Sequence, residues 1–271
     1  MTGWNRIERG TGRPLVLLHG GGASASCWLP VLDQLSVDRR VLALDFPGHG
    51  ETPAPGPDIE VDLPWLTEEL GIELRRLGIN GPVDLVGNSL GGLVALEAAK
   101  RGLASTVVAL SPAGLWRNGM PLRLQLIFRT GLLGARLTRT RAGALLGRKM
   151  MRALTLWPVV AKPQQLSPAE AIDLARDLDR SGPTLRRALQ VAKSMSFQGG
   201  QAITVPVTIA FGAIDRMVPP RSKHYPELPA QARKIILPGC GHVPMWDAPQ
   251  LIVDTIRDGI SPAHPVQQSA V

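Results

Sequence analysis

Three residues far apart in the chain, Ser89, Asp215 and His242, are of the types that together turn a hydroxyl into a nucleophile. A serine hydroxyl attacks poorly at neutral pH unless a base takes its proton. Histidine does this best when a carboxylate fixes its tautomer. Ser89 stands in Gly87-Asn88-Ser89-Leu90-Gly91-Gly92, a Gly-x-Ser-x-Gly segment. Between a strand and a helix, such a segment makes a sharp turn with the hydroxyl exposed and a helix N-terminus behind it to favour negative charge. Asp215 ends Phe211-Gly212-Ala213-Ile214-Asp215, and His242 lies in Pro238-Gly239-Cys240-Gly241-His242-Val243. Each follows an apolar run directly.

Serine attack on a carbonyl also needs donors for the developing oxyanion. His19-Gly20-Gly21-Gly22 follows the run Leu15–Leu18 and has the composition of a loop whose backbone comes close to a substrate oxygen. The expected donors are the N–H groups of Gly21, with Gly22 as the alternative, and of Leu90, the residue after the nucleophile. Gly22, Asn88, Leu115, Trp116 and Val243 are the expected substrate contacts. Leu126, Trp157, Met195, Met245 and Trp246 are further candidates for an apolar lining, with core packing the alternative for each. Of the other histidines, His49 reads as a loop residue, and His224 and His264 as surface residues. Cys240 reads as a packed free thiol.

These residues need a frame that brings them to one edge. Leu15–Leu18, Val41–Leu44, Val83–Val86, Val107–Leu110, Val207–Phe211 and Ile235–Leu237 are short, continuous apolar runs. Continuous hydrophobicity is the pattern of strands buried on both faces of a parallel sheet. Helical stretches over Trp28–Leu35, Leu66–Leu77, Leu90–Arg101 and Gln250–Ile260 alternate with them, which predicts a doubly wound α/β sheet. From residue 115 to 200 the alternation stops. The capping box Ser167-Pro168-Ala169-Glu170 and the candidates Leu122–Leu133, Ala142–Leu156 and Thr184–Phe197 make this stretch a helical insertion. The expected division is core over 1–114, insertion over 115–200, core again over 201–260, and a frayed tail over 261–271.

The chain has 271 residues, 44% hydrophobic and 19% charged, the composition of a globular protein with a sizeable core. No apolar run approaches the roughly 20 residues of a membrane helix. Two cysteines and an N-terminus without an apolar signal core lead us to expect a reduced, cytoplasmic setting. No His or Cys pair has zinc-ligand spacing, so no metal is expected.

Taken together, His19–Gly22, Asp45–Gly50, Gly87–Gly91, Asp215 and His242 resemble the α/β-hydrolase fold superfamily in order and spacing, over about residues 4–260. The resemblance implies an eight-stranded type of mostly parallel sheet, a helical cap after the sixth strand and no cofactor. The short N-terminus leaves room for one strand before Pro14. The resemblance also implies a Ser89–His242–Asp215 triad acting through an acyl-enzyme. Haloalkane dehalogenases and epoxide hydrolases of the superfamily carry an aspartate at the elbow, so Ser89 argues against both. The Asn88-Ser89-Leu90-Gly91-Gly92 elbow is similar to that of hydrolases that cleave carbon–carbon bonds of ring-fission products. Those usually have tryptophan after the histidine, where this chain has Val243, and Pro-Gly after the glycine loop, where it has Ala23-Ser24. A small apolar carboxylic ester is therefore the favoured substrate. Carbon–carbon, lactone and perhydrolase chemistry are the alternatives, and a non-catalytic small-molecule receptor is the rival from another class.

Charge is unevenly placed. The chain carries a net charge of +8, yet residues 115–200 hold fifteen Lys and Arg against four Asp and Glu, and the rest fifteen against eighteen. From Arg117 to Arg152 there is no acidic residue. A solvated arginine face on the cap is one reading; weak contact with an anionic membrane surface is the other. Nucleic acid is not an expected partner, because no recognition motif accompanies the charge.

Overall fold

A computed structural model describes residues 3–116, 119–191, 196–218 and 225–261. Arg117, Met195, His224, His264 and the expected tail from residue 262 onward lie outside the described residues. Seven strands form one sheet: β1 (Arg6–Arg9), β2 (Pro14–Leu18), β3 (Arg40–Leu44), β4 (Val83–Asn88), β5 (Ala104–Leu110), β6 (Val207–Gly212) and β7 (Arg233–Leu237). Their order is β1-β3-β2-β4-β5-β6-β7, all parallel except β1, which runs antiparallel to β3. Among the described residues the sheet has seven strands where an eight-stranded type was expected, and one strand, β1, precedes Pro14 as expected.

The core strands β2, β4, β5 and β6 are buried almost throughout because helices cover both faces. On one face α2 (Leu63–Arg76) and α3 (Leu90–Lys100) bury Leu66, Leu70, Val94 and Leu96 against Val16, Leu85 and Val107. On the other, α1 (Leu29–Leu35) and α8 (Pro249–Ile260) bury Leu32, Ile252 and Ile256 against Leu15, Val86 and Val108. Asp62 starts α2 by accepting the Trp65 N–H at 2.8 Å.

Between β5 and β6 the described residues hold helices and no strand. These are α4 (Leu122–Thr138), α5 (Ala142–Leu146), α6 (Lys149–Leu156) and α7 (Pro168–Val191). The capping box forms as expected: Ser167 N–H donates to Glu170 Oε2 at 2.7 Å, and Glu170 N–H donates to Ser167 Oγ at 3.2 Å. Two expectations fail here. Ala142–Leu156 is two helices, not one, because the chain breaks at Gly147-Arg148. Arg152 folds back, buried, to donate to the Leu146 and Gly147 carbonyls at the end of α5. Thr184–Phe197 is not a separate helix: its first part continues α7 through Pro183. The lost backbone bond is tolerated because Ser181, Thr184 and Leu185 beside it are buried against the core.

Candidate active site

Parallel register carries the strand ends to one edge. Leu18 pairs with Gly87, Asn88 with Leu110, and Gly212 with Leu237. The residues that follow these ends are His19, Ser89, Ser111, Asp215 and His242, all on the carboxyl side of the sheet.

Ser89 joins β4 directly to α3 with φ 52 and ψ −113, a conformation side chains rarely adopt. Among the described residues one other non-glycine has positive φ, Ser111 (φ 45), where β5 leaves the sheet for the inserted helices. The turn closes because its glycines carry no side chain. A Cβ on Gly91 would stand 2.2 Å from the Leu18 carbonyl oxygen, and one on Gly87 would stand 2.2 Å from Gly91. Gly91 N–H in turn donates to the His19 carbonyl at 3.1 Å, fixing the glycine loop against α3. Leu90 is the first residue of α3, so its N–H has no acceptor within the helix and is available to a ligand.

His242 and Asp215 are buried together. His242 Nδ1 lies 3.0 Å from Asp215 Oδ2, and the other carboxylate oxygen accepts from the Met217 and Val218 N–H groups, each at 2.9 Å. Burial alone would raise the Asp215 carboxyl. The charge and hydrogen bond of His242, with the Val218 N–H, outweigh it and hold the carboxyl below its usual value. Asp215 is therefore ionised and fit to accept from Nδ1–H, which leaves Nε2 as the ring nitrogen without a proton. Asn88 ties this pair to the elbow, since its amide donates to the carbonyls of His242 at 2.9 Å and Leu110 at 3.1 Å.

A cavity of about 470 Å³ holds Ser89 and His242 in its wall, with Gly21, Gly22, Asn88 and Val243 beside them. The last four are expected contacts and donors; Leu90 is not part of the wall. Leu115 and Trp116 are corrections: both are buried in the core around Leu93 and Phe197 and do not line the cavity. They follow β5 closely enough that packing under the insert takes them. Asn88 borders the cavity, but its amide is committed to the two carbonyls. Of the further lining candidates, Leu126 and Trp157 point to solvent, and Met245 is core. Trp246 packs on the α8 side of the sheet. Cys240 is buried and its thiol is pushed up to about 11, mainly by burial.

The remaining lining was not anticipated. One face of α4 supplies Ile127 and the smaller Gly131, Gly134, Ala135 and Thr138, which leave room for a ligand. Their spacing at three and four residues is the signal that could have found them. Met151, Leu174, Leu178 and Met217 complete an apolar wall, and no Lys or Arg lines the cavity among the described residues.

The helix α7 clamps this wall to the core. Asp177 accepts from Ser24 Oγ at 2.6 Å and Ser26 Oγ at 3.2 Å, and Arg187 donates to the carbonyls of Pro55 (3.2 Å) and Gly56 (2.7 Å). A Cβ on Gly48 would stand 2.0 Å from Thr184 Oγ1, so only glycine admits the helix there.

Beneath the glycine loop, His19 Nδ1 donates to the Gly20 carbonyl at 2.7 Å, and Nε2 accepts the Phe46 N–H at 3.0 Å. Burial pulls His19 down to about 4, and burial with the neighbouring His19 pulls His49 down to about 3. Both are neutral when folded but take a proton near pH 6.5 when unfolded. The unfolded chain therefore binds more protons in this window, and stability falls as pH drops from about 6.5 towards 4. Asp177, raised by burial, acts in the opposite sense but is one group against two. The thermal midpoint should drop between pH 7 and pH 5, and drop less in His49→Gln. A flat profile in the parent protein would contradict this.

The model of the alpha/beta hydrolase family matches residues 15–255. An epoxide hydrolase of Mycobacterium tuberculosis, EphH, is 31% identical over 206 residues, 73% of this chain and 91% of its own. A pimeloyl-[acyl-carrier protein] methyl ester esterase of Aeromonas hydrophila is 30% identical over 272 residues, 93% of this chain and 97% of its own. Among solved structures, a meta-cleavage product hydrolase from Pseudomonas fluorescens superimposes with TM-score 0.71 at 20% identity, covering 94% of each chain. At that identity the likeness is one of fold.

Proposed function

This chain belongs to the alpha/beta hydrolase family and is a hydrolase, and we propose that it cleaves a small, largely apolar carboxylic ester by serine chemistry. The carrying observation is that one cavity holds Ser89, on its strained turn, together with His242 bonded to Asp215. In this reading Ser89 Oγ attacks the ester carbonyl carbon as His242 Nε2 takes its proton. The Leu90 and Gly21 N–H groups hold the oxyanion, each such donor contributing on the order of 10²–10³ in rate. His242 returns the proton to the departing alcohol. Water, deprotonated by His242, then cleaves the acyl-serine ester and restores Ser89. The helices between β5 and β6 act as a cap that shapes the acyl site.

Two features of the cavity favour an ester over the alternatives. A ring-fission diketo acid carries a carboxylate, and no cationic side chain lines the described wall to receive it. An epoxide attacked by Ser89 would leave an ether, with no carbonyl for water to attack, so turnover would stop. The Aeromonas relative, by name a methyl ester esterase, supports the same reading.

The test is a panel of p-nitrophenyl esters from acetate to decanoate. Activity should rise with acyl length as the apolar wall is filled, then fall when the chain outgrows about 470 Å³. Inertness toward the whole panel, with turnover of a vinylogous diketo acid, would replace the ester reading by carbon–carbon cleavage.

A further inference from the structure

The outer side of α4 is built unlike the outside of an ordinary surface helix. Leu122, Leu126, Leu133 and Leu137 are 58–82% exposed. At ~100° per residue they fall within an arc of about 60°, a single leucine stripe along the helix. The stripe lies opposite the face that lines the ester cavity, where Gly131 and Thr138 sit. Single exposed leucines need no explanation, but an aligned row of four does. A second stripe runs along α6 and just beyond it, where Met150, Leu154 and Trp157 are 79%, 71% and 49% exposed at spacings of four and three. Leu154 also lines the cavity, which places this stripe at its mouth.

Basic side chains border both stripes. Arg129, Arg136 and Arg186 stand around a groove of about 360 Å³ between α4 and α7, floored by Leu132 and Leu189 and edged by Gln125 and Gln190. No carboxylate among the described residues lies within ion-pair distance of these three arginines. Arg139, Arg141, Arg148 and Lys149 extend the same sign, and Arg216 lies over the Trp157 ring at 4.8 Å. The leucine row and the unpaired Arg129 and Arg136 of the groove thus share α4, while the second row, with Arg216, lies at the cavity mouth.

We infer that this face seats on an anionic phospholipid surface, the leucine and methionine rows reaching the acyl boundary and the Arg129–Arg136–Arg186 groove taking a headgroup phosphate. Charge selects this occupant. A second copy of the chain would bring two strongly basic faces together, and a zwitterionic surface would leave the cations without counter-charge. Exposed leucines with flanking arginines and a tryptophan at the rim are what an interfacial surface requires. No helix among the described residues is long and apolar enough to cross a membrane, and the face proposed here rests on the surface. The surface contact does not depend on which bond the site cleaves. If the ester reading also holds, the mouth faces the layer from which apolar esters would enter.

The test is co-sedimentation of the full chain with phosphatidylglycerol–phosphatidylcholine vesicles and with phosphatidylcholine vesicles. Binding should be about tenfold or more tighter to the anionic vesicles. It should weaken when NaCl rises from about 0.1 to about 1 M, which shortens the screening length from about 10 to about 3 Å. Arg129→Glu/Arg136→Glu should lower binding at least about tenfold. Leu126→Ser/Leu137→Ser should lower it at any salt, with circular dichroism and p-nitrophenyl acetate turnover unchanged in both variants. Salt-insensitive binding, equal binding to both vesicles or no binding would overturn the proposal. So would sedimentation velocity showing that the leucine rows bury in a dimer, or capture of a purified acidic acyl carrier protein with no vesicle binding.

Discussion

Replacing Ser89 by alanine should lower kcat on p-nitrophenyl butyrate by on the order of 10⁴–10⁶ while leaving the fold and the cavity intact. The size of the effect follows from the geometry. In the proposed mechanism His242 Nε2 and the Leu90 and Gly21 donors act on a reaction that begins at Ser89 Oγ, so removing that oxygen removes the covalent route. What remains is the weaker help that donors and binding give to direct attack by water. The alanine side chain still meets the strained φ 52, and the neighbouring contacts of Gly87 and Gly91 are backbone contacts that the substitution does not touch. Circular dichroism and the thermal midpoint should therefore stay close to the parent. A variant that folds normally and keeps more than about a hundredth of the activity would show that another group attacks the substrate.

Asp215→Asn should cost about 10⁴ in kcat, nearly as much, although the residue never touches substrate. Its carboxylate accepts from His242 Nδ1 at 3.0 Å and from two backbone N–H groups. The Met217 and Val218 donors favour the amide oxygen on their side, which turns the amide NH₂ toward His242. Nδ1 must then accept, Nε2 carries the proton, and the histidine can no longer serve as a base toward Ser89. The distinguishing readout is partial recovery at high pH, as substrate attack comes to depend on hydroxide rather than on His242, with KM little changed. A purely structural role would lower stability and activity together and show no such recovery.

The turn at Ser89 and the strand ends beside it were legible in the sequence because their constraints are local. A Cβ on Gly87 or Gly91 would stand 2.2 Å from backbone atoms, so only glycine can flank Ser89 here and the turn is written as a short motif. The buried runs Val83–Val86 and Val107–Leu110 likewise mark strands that cannot be half-exposed. Inside the inserted helices the same logic weakens. Leu115, before α4, and Leu126, within it, are both leucines of the same stretch, yet one is buried in the core and the other is mostly exposed. What separates them is the packing of α4, α7 and the sheet, which no local pattern records. Asp177 and its two serines lie more than 150 residues apart, so the clamp between insert and core had no sequence signature at all. The turn at Gly147 and the passage of α7 through Pro183 are tertiary outcomes too: buried Arg152 secures the first and buried Thr184 and Leu185 the second.

The central claim is that Ser89 is the nucleophile, and a fluorophosphonate probe tests it most directly. The reagent forms a covalent bond only with a serine whose hydroxyl is activated and accessible. Peptide mapping by mass spectrometry of the labelled protein should place the adduct on Ser89, with no adduct in Ser89→Ala and strongly slowed labelling in Asp215→Asn. An unlabelled parent protein, or an adduct on another residue, would contradict the account.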